Sequence, residues 1–251
     1  MTRTFLFFLL LALATPCQAQ NIILLSAAVD NTAVKTNTPD VFAAEGEKIN
    51  KTLLDNKICP VKSRIFYNKE ANRKNLLEGL KWVKDTADQD SLVIVYLGAH
   101  GGVSTLGYAC LMSDNFVFAA EIQRTLDRLP CKALLIVDTC HAGAFMDNWK
   151  NRNTFVIAAC RRDEVAATCK VADPFAMAAI YADKNNDGII DTEELYDYLI
   201  KNTDQHIVRS DYHFKSNIIK ERTKVKTDIK LFCIMILWLA SYVVRYRYVM
   251  R

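Results

Sequence analysis

A histidine and a cysteine, each close to glycine, are the residues of this sequence best suited to catalysis. His100 stands in the segment GAHGG and Cys140 in the segment DTCHAG. A thiol that passes its proton to an imidazole becomes a strong nucleophile, and the imidazole can return the proton to a leaving group. The small neighbours leave room for a substrate backbone. These residues therefore predict covalent catalysis, with Cys140 as nucleophile and His100 as general base.

Both residues follow apolar runs that are typical of strands buried on both faces of a sheet. Such runs, or shorter strand-like ones, occupy residues 21–29, 63–67, 91–97, 131–137 and 154–159. Segments with apolar residues at roughly helical spacing separate most of them, at 39–56, 72–88 and 118–129. Repeated β-α-β units predict an α/β fold with a mostly parallel sheet sandwiched by helices. In such sheets sites form beyond the carboxyl ends of the strands, so His100 and Cys140 are expected to meet there.

The two motifs resemble those of caspase-like cysteine peptidases, and most closely the metacaspase and bacterial caspase-like branch of the caspase–legumain fold. That branch carries His-Gly after one strand and Asp-x-Cys-x-x-Gly after the next. The similarity extends over about residues 21–202. Ala99 stands where the family usually has glycine before the histidine, and Asp138 replaces the glutamine of true caspases. The resemblance implies a caspase-like fold.

The resemblance also implies roles for the matching residues. Cys140 would attack the scissile carbonyl, and His100 would protonate the leaving amine and activate the hydrolytic water. The backbone N–H groups of Gly101 and Cys140 would form the oxyanion hole. Asp138 matches the position that lines the primary specificity pocket, to which Asp163 would add. A buried carboxylate there favours Arg or Lys before the cut. We therefore expect a cysteine endopeptidase that cleaves after basic residues.

Two alternatives stay open. The same dyad serves asparaginyl cleavage or transamidation in the related legumain-like peptidases. A catalytically silent, membrane-tethered module for calcium binding or protein interaction is the other alternative. At Asp138 a purely structural role, as a cap of the following turn, is also compatible with the sequence.

A second motif, DKNNDGIIDTEE at 183–194, matches the calcium loop of an EF-hand. Oxygen ligands fall at its positions one, three, five, nine and twelve, a glycine at six, and a backbone carbonyl at seven. The predicted ligands are Asp183, Asn185, Asp187, Ile189, Asp191 and Glu194. Calcium at this single loop is the one cofactor that we expect, and no organic cofactor is predicted.

The two ends of the chain suggest targeting to a membrane system. Residues 1–19 have the layout of a cleaved signal peptide, with an uncleaved anchor as the alternative. Residues 20–204 are then the peptidase domain, 205–229 a basic juxtamembrane linker, and 230–251 a C-terminal membrane anchor with a short basic tail. The apolar run 231–244 is short for a bilayer span, so a buried core helix is the alternative there. The expected location is the secretory pathway or cell envelope, with the catalytic domain extracytoplasmic.

Composition excludes some other classes of function. The net charge is only +4 and no basic stripe interleaved with aromatic residues occurs, so nucleic-acid binding is not expected. No Cys-x-x-Cys spacing occurs among the 8 cysteines, which argues against a zinc site. A protein or peptide substrate is the expected partner.

Overall fold

The computed structural model describes residues 21–30, 42–55, 60–150, 153–166, 171–203, 206–211 and 218–220. The predicted signal peptide and membrane anchor lie outside these residues. The strands are β1 (Ile22–Ala28), β2 (Val61–Tyr67), β3 (Leu92–Gly98), β4 (His100–Ser104), β5 (Gly107–Leu111), β6 (Phe116–Phe118), β7 (Lys132–Asp138), β8 (Thr154–Ala158), β9 (Ile189–Ile190), β10 (Val208–Arg209) and β11 (Ile219–Lys220). The helices are α1 (Phe42–Asp55), α2 (Arg73–Thr86), α3 (Ala119–Leu126), α4 (Ala172–Tyr181) and α5 (Thr192–Asn202).

The main sheet has six strands in the order β10-β8-β7-β3-β1-β2. All neighbours are parallel except β10, which runs antiparallel to β8. Apolar residues fill both of its faces, since successive side chains of a strand point to opposite sides. Ile23 and Leu25 of β1 belong to one buried cluster with α2 and α3, while Ile22 and Leu24 belong to another with α1, α4 and α5. The predicted α/β fold with helices on both faces is confirmed.

The helices that cover the sheet follow their apolar periodicity. In α2 the residues Leu76, Leu80 and Val83 are buried, and the helix begins after Asn72, whose side chain accepts a hydrogen bond of 2.8 Å from the Asn75 N–H. This capping interaction satisfies a backbone donor that would otherwise lack an acceptor. Sequence periodicity therefore places α2 correctly, to within a residue or two at each end.

Helix α1 buries a polar residue as well as its apolar face. The side-chain amide of Asn50 donates to the hydroxyl oxygens of Ser26 (2.9 Å) and Tyr67 (2.8 Å). A buried amide costs little only when its hydrogen bonds are made. This pair of bonds fixes α1 over β1 and β2.

A three-stranded antiparallel sheet, β4-β5-β6, follows His100 and was not predicted from the sequence. Its strands are 5, 5 and 3 residues long, and Gly101, Gly102 and Gly107 interrupt the side-chain pattern. Period-two alternation is hard to detect over so few residues. The sheet lies directly beyond the end of β3 and so borders the predicted site.

The folded domain continues past the predicted boundary at residue 204. Val208 pairs with Ala158 in the main sheet, and the backbone of Ile219 pairs with that of Ile190. The side chains of Ile207 and Ile218 are buried among apolar residues. All described residues belong to one compact unit. Strands of two residues, such as β10 and β11, carry almost no periodic signal, so the sequence pattern predicts a linker over this segment.

Within the described ranges, no helix is both long enough and apolar enough to cross a membrane.

Candidate active site

The two strands that precede His100 and Cys140 are neighbours in the sheet. Strands β3 and β7 are parallel, and their last residues, Gly98 and Asp138, are paired in register. The N–H of Ala99 donates to the carbonyl of Asp138 at 3.4 Å, which extends the pairing by one residue. His100 and Cys140 each follow two residues after the paired ends. Equal offsets on adjacent parallel strands bring the two residues to one level of the same sheet edge.

Gly101 brings the backbone beside the histidine against the backbone of the cysteine. A Cβ atom at this position would stand 2.5 Å from the carbonyl oxygen of Cys140 and 2.4 Å from the hydroxyl of Tyr108. No larger residue fits without displacing the backbone of Cys140. The glycine after His100 is therefore required by a close approach of two chain segments.

The thiol of Cys140 is half-buried, and its surroundings disfavour the thiolate. Its Sγ lies 3.8 Å from the carbonyl oxygen of Ala166. Burial raises the pKa of the Cys140 thiol, and the neighbouring carboxyl of Asp138 contributes to the rise. Only the thiolate is a strong nucleophile, so nucleophilic chemistry at this cysteine would need a base that removes its proton.

The imidazole of His100 is held by an aromatic ring that the sequence analysis did not single out. Phe42, at the start of α1, meets it edge to face with ring centroids 5.4 Å apart and an interplanar angle of 81°. Phe42 is buried and His100 is half-buried. Contact of this kind restricts the rotation of the imidazole. Nothing in the local sequence around Phe42 signals the contact, since the two residues are 58 positions apart.

Two buried hydroxyl groups support the backbone of Cys140 from within the core. The hydroxyl of Tyr108 on β5 is hydrogen-bonded to that of Thr139, and the Thr139 hydroxyl also lies 3.2 Å from the carbonyl oxygen of Cys140. Burial raises the pKa of Tyr108 well above its ordinary value, so this phenol stays neutral and donates. Neither residue is predicted from the sequence as a neighbour of Cys140, although Tyr108 shares a strand with other buried side chains.

The turn after Cys140 is held by the loop 161–166. His141 has φ of +56°, the left-handed region, and its N–H donates to the carbonyl of Glu164 at 2.8 Å. At Gly143 a Cβ atom would stand 2.8 Å from the backbone nitrogen of Arg162, so only glycine fits. The carboxylate of Glu164 in turn lies 2.5 Å from Nδ1 of His206, within hydrogen-bond distance. Backbone contacts therefore orient the segment that carries the thiol.

The side chain of Asp138 is completely buried. The Tyr96 hydroxyl donates to its Oδ2 at 3.2 Å, while its Oδ1 has no hydrogen-bond partner among the described residues. Burial raises the pKa of Asp138 to about 7, and the charge of Glu45 adds to the rise, whereas the bond from Tyr96 opposes it. Both protonation states of this carboxyl are therefore accessible near neutral pH.

Asp163 has a different environment from Asp138. It lies in the loop 161–166 and its side chain is exposed. An exposed carboxylate is well hydrated and interacts weakly with a distant charge. The two acids that the resemblance assigns to one pocket thus differ in burial.

The loop 183–194 comprises the connection from α4 to α5 and the first turn of α5, and its own side chains order it. Gly188 has φ of +82°, and its N–H donates to Oδ2 of Asp183 at 2.9 Å. Asn185 and Asp187 each accept from a backbone N–H two residues on, at 2.8 Å. The six predicted ligands are thus all within one described loop: Asp183, Asn185, Asp187, Ile189, Asp191 and Glu194.

The last two predicted ligands also cap α5. Oδ1 of Asp191 accepts from the N–H groups of Glu193 and Glu194 at 2.9 Å, and Glu194 accepts from the N–H of Asp191 at 3.2 Å. Glu194 accepts further bonds from the N–H groups of Lys184 and Asn185, at 3.0 and 3.3 Å. Its carboxylate therefore joins the two ends of the loop.

The part of the chain that the structure describes shows neither a cluster of metal ligands nor a disulfide. No group of three or more His, Cys, Asp and Glu side chains is gathered there in a way that could hold a metal ion. The described cysteines, Cys110, Cys131, Cys140 and Cys160, are free thiols.

Solved structures share this arrangement of strands and helices. A protein of Geobacter sulfurreducens, GSU0716, superposes with a TM-score of 0.57 at 13% identity, over 81% of this chain and 97% of that one. The initiator caspase Dronc of Drosophila superposes with a TM-score of 0.53 at 15% identity, over 78% of this chain and 81% of its own. At such identities the likeness concerns the fold alone, which is caspase-like. The search of curated proteins found no match.

A family model identifies the chain more directly. The model of the Peptidase C13 family matches residues 18–230, which is most of the sequence and includes every strand and helix described above. The match agrees with the caspase-like fold and with a cysteine and a histidine at adjacent strand ends. The chain therefore belongs to the Peptidase C13 family.

Proposed function

We propose that this protein is a cysteine endopeptidase in which Cys140 and His100 form the catalytic dyad. The observation that supports this most strongly is the equal offset of the two residues beyond the paired ends of β3 and β7. The raised pKa of the Cys140 thiol agrees with a mechanism in which the base acts during attack, because little thiolate exists beforehand.

In the proposed reaction the Cys140 sulfur attacks the scissile carbonyl while its proton passes to the His100 imidazole. The oxyanion accepts hydrogen bonds from the N–H groups of Gly101 and Cys140. Collapse of this intermediate expels the amine, which takes the proton from His100. A water molecule, deprotonated by His100, then hydrolyses the acyl-enzyme and restores the thiol.

The test of the dyad uses peptides that end in Arg, Lys, Asn or Asp before a reporter group. We expect hydrolysis that disappears in Cys140→Ala and in His100→Gln. Cys131→Ala is the matched control, since it changes a buried free thiol at the other end of β7. Equal hydrolysis by Cys140→Ala and the wild type would refute the proposal. Silence of the wild type on every peptide would favour the interaction-module alternative.

For the residue before the cut we propose a preference for Arg or Lys, which rests on the carboxyl of Asp138. Its ionised form attracts a cation strongly in a site that excludes water. Because the pKa of Asp138 is about 7, this attraction should increase as pH rises from 6 to 8. We expect the ratio of Arg to Asn cleavage to increase over this range and to lose its pH dependence in Asp138→Asn. Asp163→Asn, which changes an exposed acid, provides the comparison for an added contribution of Asp163.

Asparaginyl cleavage is the second candidate, and the C13 family match favours it. A protonated carboxyl of Asp138 can donate a hydrogen bond to a side-chain amide, which an ionised carboxylate cannot. Under this alternative, Asn would be the preferred residue below pH 7. An added amine that appears in the product would indicate transamidation rather than hydrolysis.

We propose that the loop 183–194 binds one calcium ion and stabilises the domain. In support, Gly188 is in the left-handed conformation and the six predicted ligands lie in one ordered loop. Strand β9 within the loop pairs with β11, which supplies the strand that a second loop provides in paired EF-hands. To bind the ion, the carboxylate of Glu194 would have to give up the hydrogen bonds that it accepts from backbone N–H groups.

Calcium binding is tested by thermal unfolding of the protein over a series of calcium concentrations. A ligand at one hundred times its Kd stabilises by about 2.7 kcal/mol, so the Tm should rise by several degrees. The rise should vanish in Glu194→Gln and persist in Asp85→Asn, which changes an exposed acid on α2. An unchanged Tm in millimolar calcium would contradict the proposal.

The targeting predictions remain proposals of the same kind. We propose that residues 1–19 direct the chain to the secretory pathway or cell envelope and that residues 230–251 attach it to a membrane. An N-terminal sequence beginning near Gln20 in the isolated protein would support cleavage of the signal. Release of the protein from membranes by carbonate extraction would contradict the anchor.

A further inference from the structure

An apolar cavity opens directly beside the imidazole of His100. Its volume is about 370 Å³, which is within the range of ligand pockets. It lies on one face of the β4-β5-β6 sheet, and the residues that line it include His100, Val103, Ala109, Leu111, Phe116 and Phe118. Among these described lining residues, the imidazole is the only group that can carry a charge.

The strand register shows how the cavity is built. His100, Leu111 and Phe116 form one cross-strand row, and Gly102, Ala109 and Phe118 form the next. In an antiparallel sheet, residues of such rows share a face. Strands β5 and β6 supply the apolar side chains that line the cavity. Gly102 leaves the space above β4 open, because a Cβ atom there would meet nothing within 4 Å.

The opposite face of the same sheet already packs on the core. Gly101, Cys110 and Val117 form the intervening row, and Cys110 and Val117 are fully buried. An antiparallel sheet with one face on the core normally presents polar residues on the other. Here the outer face is apolar, and Phe116 at its rim is 50% exposed. An exposed apolar patch of this kind indicates a binding surface.

The chemistry proposed for His100 identifies the occupant. The imidazole delivers its proton to the nitrogen of the leaving amine, so that nitrogen must lie within hydrogen-bond reach of it. The residue that carries this nitrogen is the first residue after the scissile bond. Its side chain is therefore the part of the substrate nearest to the cavity, while the residue before the bond lies on the side of Cys140.

We propose that this cavity is the subsite for the first residue after the scissile bond and that it selects a bulky apolar side chain there, such as Leu or Phe. The inference rests on the proposed peptidase function and adds a second specificity determinant to it. Aromatic rings at Phe116 and Phe118 offer edge and face contacts to an incoming side chain. A charged side chain would lose much of its hydration against the apolar lining.

The test measures kcat/KM of the full-length protein on internally quenched peptides that differ only at the residue after the cut. The series carries Leu, Phe, Gly, Asp or Lys at that position. A peptide methyl ester with the same residue before the cut reports the dyad alone, because methanol is too small a leaving group to reach the cavity. We expect Leu and Phe to be cleaved at least about ten times faster than Gly or Asp.

Phe116→Asp and Leu106→Asp are the informative pair of variants. Both replace an exposed apolar residue of the β4-β6 region by the same acid, but only Phe116 lines the cavity. In Phe116→Asp the ratio of Leu to Gly cleavage should fall about fivefold or more, and Lys should gain relative to Leu. Leu106→Asp should keep the wild-type ratio.

Three outcomes overturn the inference. Ester hydrolysis without a preference after the cut would refute this subsite and leave the peptidase function intact. The same Leu to Gly ratio in Phe116→Asp as in Leu106→Asp would do the same. Silence on the ester and on every peptide would refute the peptidase function, and the inference with it.

Discussion

At the scale of single residues, the most consequential group beside the site is the buried carboxyl of Asp138. Its ordinary pKa is near 4, and burial raises it to about 7 in the folded protein. The folded state therefore holds the proton more tightly than the unfolded state does. The stability that this proton contributes is fully present below pH 4 and is lost as the pH rises through 7.

Asp138→Asn should accordingly stabilise the protein at pH 8 but not at pH 4. A shift of about three units corresponds to a change on the order of 4 kcal/mol between these limits. The free energy of unfolding, measured by urea denaturation at both pH values, checks this. Asp163→Asn is the control, since its exposed side chain should leave the pH profile unchanged. Parallel profiles for wild type and Asp138→Asn would contradict the burial of an ionisable group.

Phe42 acts on the proposed reaction through His100 and is a positioning residue. Phe42→Leu keeps most of the apolar volume but removes the edge-to-face ring contact. We expect kcat to fall about three- to tenfold with little change in KM, because a freer imidazole is less often aligned for proton transfer. Phe42→Tyr retains the ring and should recover most of kcat. A loss confined to thermal stability, with kcat unchanged, would show that the ring only fills space.

At the scale of elements, helices are joined to the sheet and to each other by contacts that tolerate little change. The guanidinium of Arg73 at the start of α2 donates to both carboxylate oxygens of Glu121 in α3, at 2.7 and 2.6 Å. This pair raises the pKa of Arg73 and lowers that of Glu121. Glu121 also accepts from the N–H of Phe118 at 3.1 Å and so caps its own helix. One carboxylate thus links two helices of the same face.

Helix α2 approaches the sheet most tightly where it carries Gly79, which leaves no room for a side chain. A Cβ atom there would stand 2.6 Å from Cδ1 of Leu25 on β1 and 3.3 Å from Phe66 on β2. Gly79→Ala should destabilise the protein by about 1–3 kcal/mol through overpacking, although alanine favours helices by about 1 kcal/mol. Chemical denaturation checks this, with Glu78→Ala on the exposed side of α2 as control. A net stabilisation by Gly79→Ala would show that the helix can shift outward.

At the scale of the whole molecule, the described domain is closed by strands far along the chain. Strand β10 covers the free edge of β8, and Ile218 completes the apolar cluster beneath α4 and α5. An open edge of a parallel sheet exposes unpaired backbone groups and promotes aggregation. Residues 206–211 and 218–220 therefore belong to the fold and not to a linker.

A chain that ends at residue 204 should be less stable than one that ends at residue 221. The shorter chain lacks β10, β11 and the buried side chains of Ile207 and Ile218. Removal of a buried isoleucine side chain alone typically costs 2–5 kcal/mol, so a loss of at least about that size is expected. Thermal unfolding and the yield of soluble protein check this. Equal Tm values would show that these strands only rest on the surface.

The local pattern of the sequence determined the main elements and the place of the candidate site. Buried parallel strands are continuous apolar runs and amphipathic helices have a period near 3.6, so each can be predicted from a short window. His100 and Cys140 stand directly after two such runs, and parallel strands align their carboxyl ends. Neither the prediction of these elements nor the placement of His100 and Cys140 requires knowledge of contacts between residues far apart in the chain.

Tertiary structure alone decided what depends on residues far apart in the chain. The burial of Asp138 beside Tyr96, the ring of Phe42 on His100 and the pairing of β10 with β8 join segments separated by 42, 58 and about 50 positions. The β4-β5-β6 sheet and its cavity likewise depend on cross-strand pairing. Its strands are too short, and β4 too rich in glycine, for the sequence pattern to predict that pairing. Side-chain periodicity records which face of an element is apolar, but the identity of the neighbour on that face is set only when the whole chain packs.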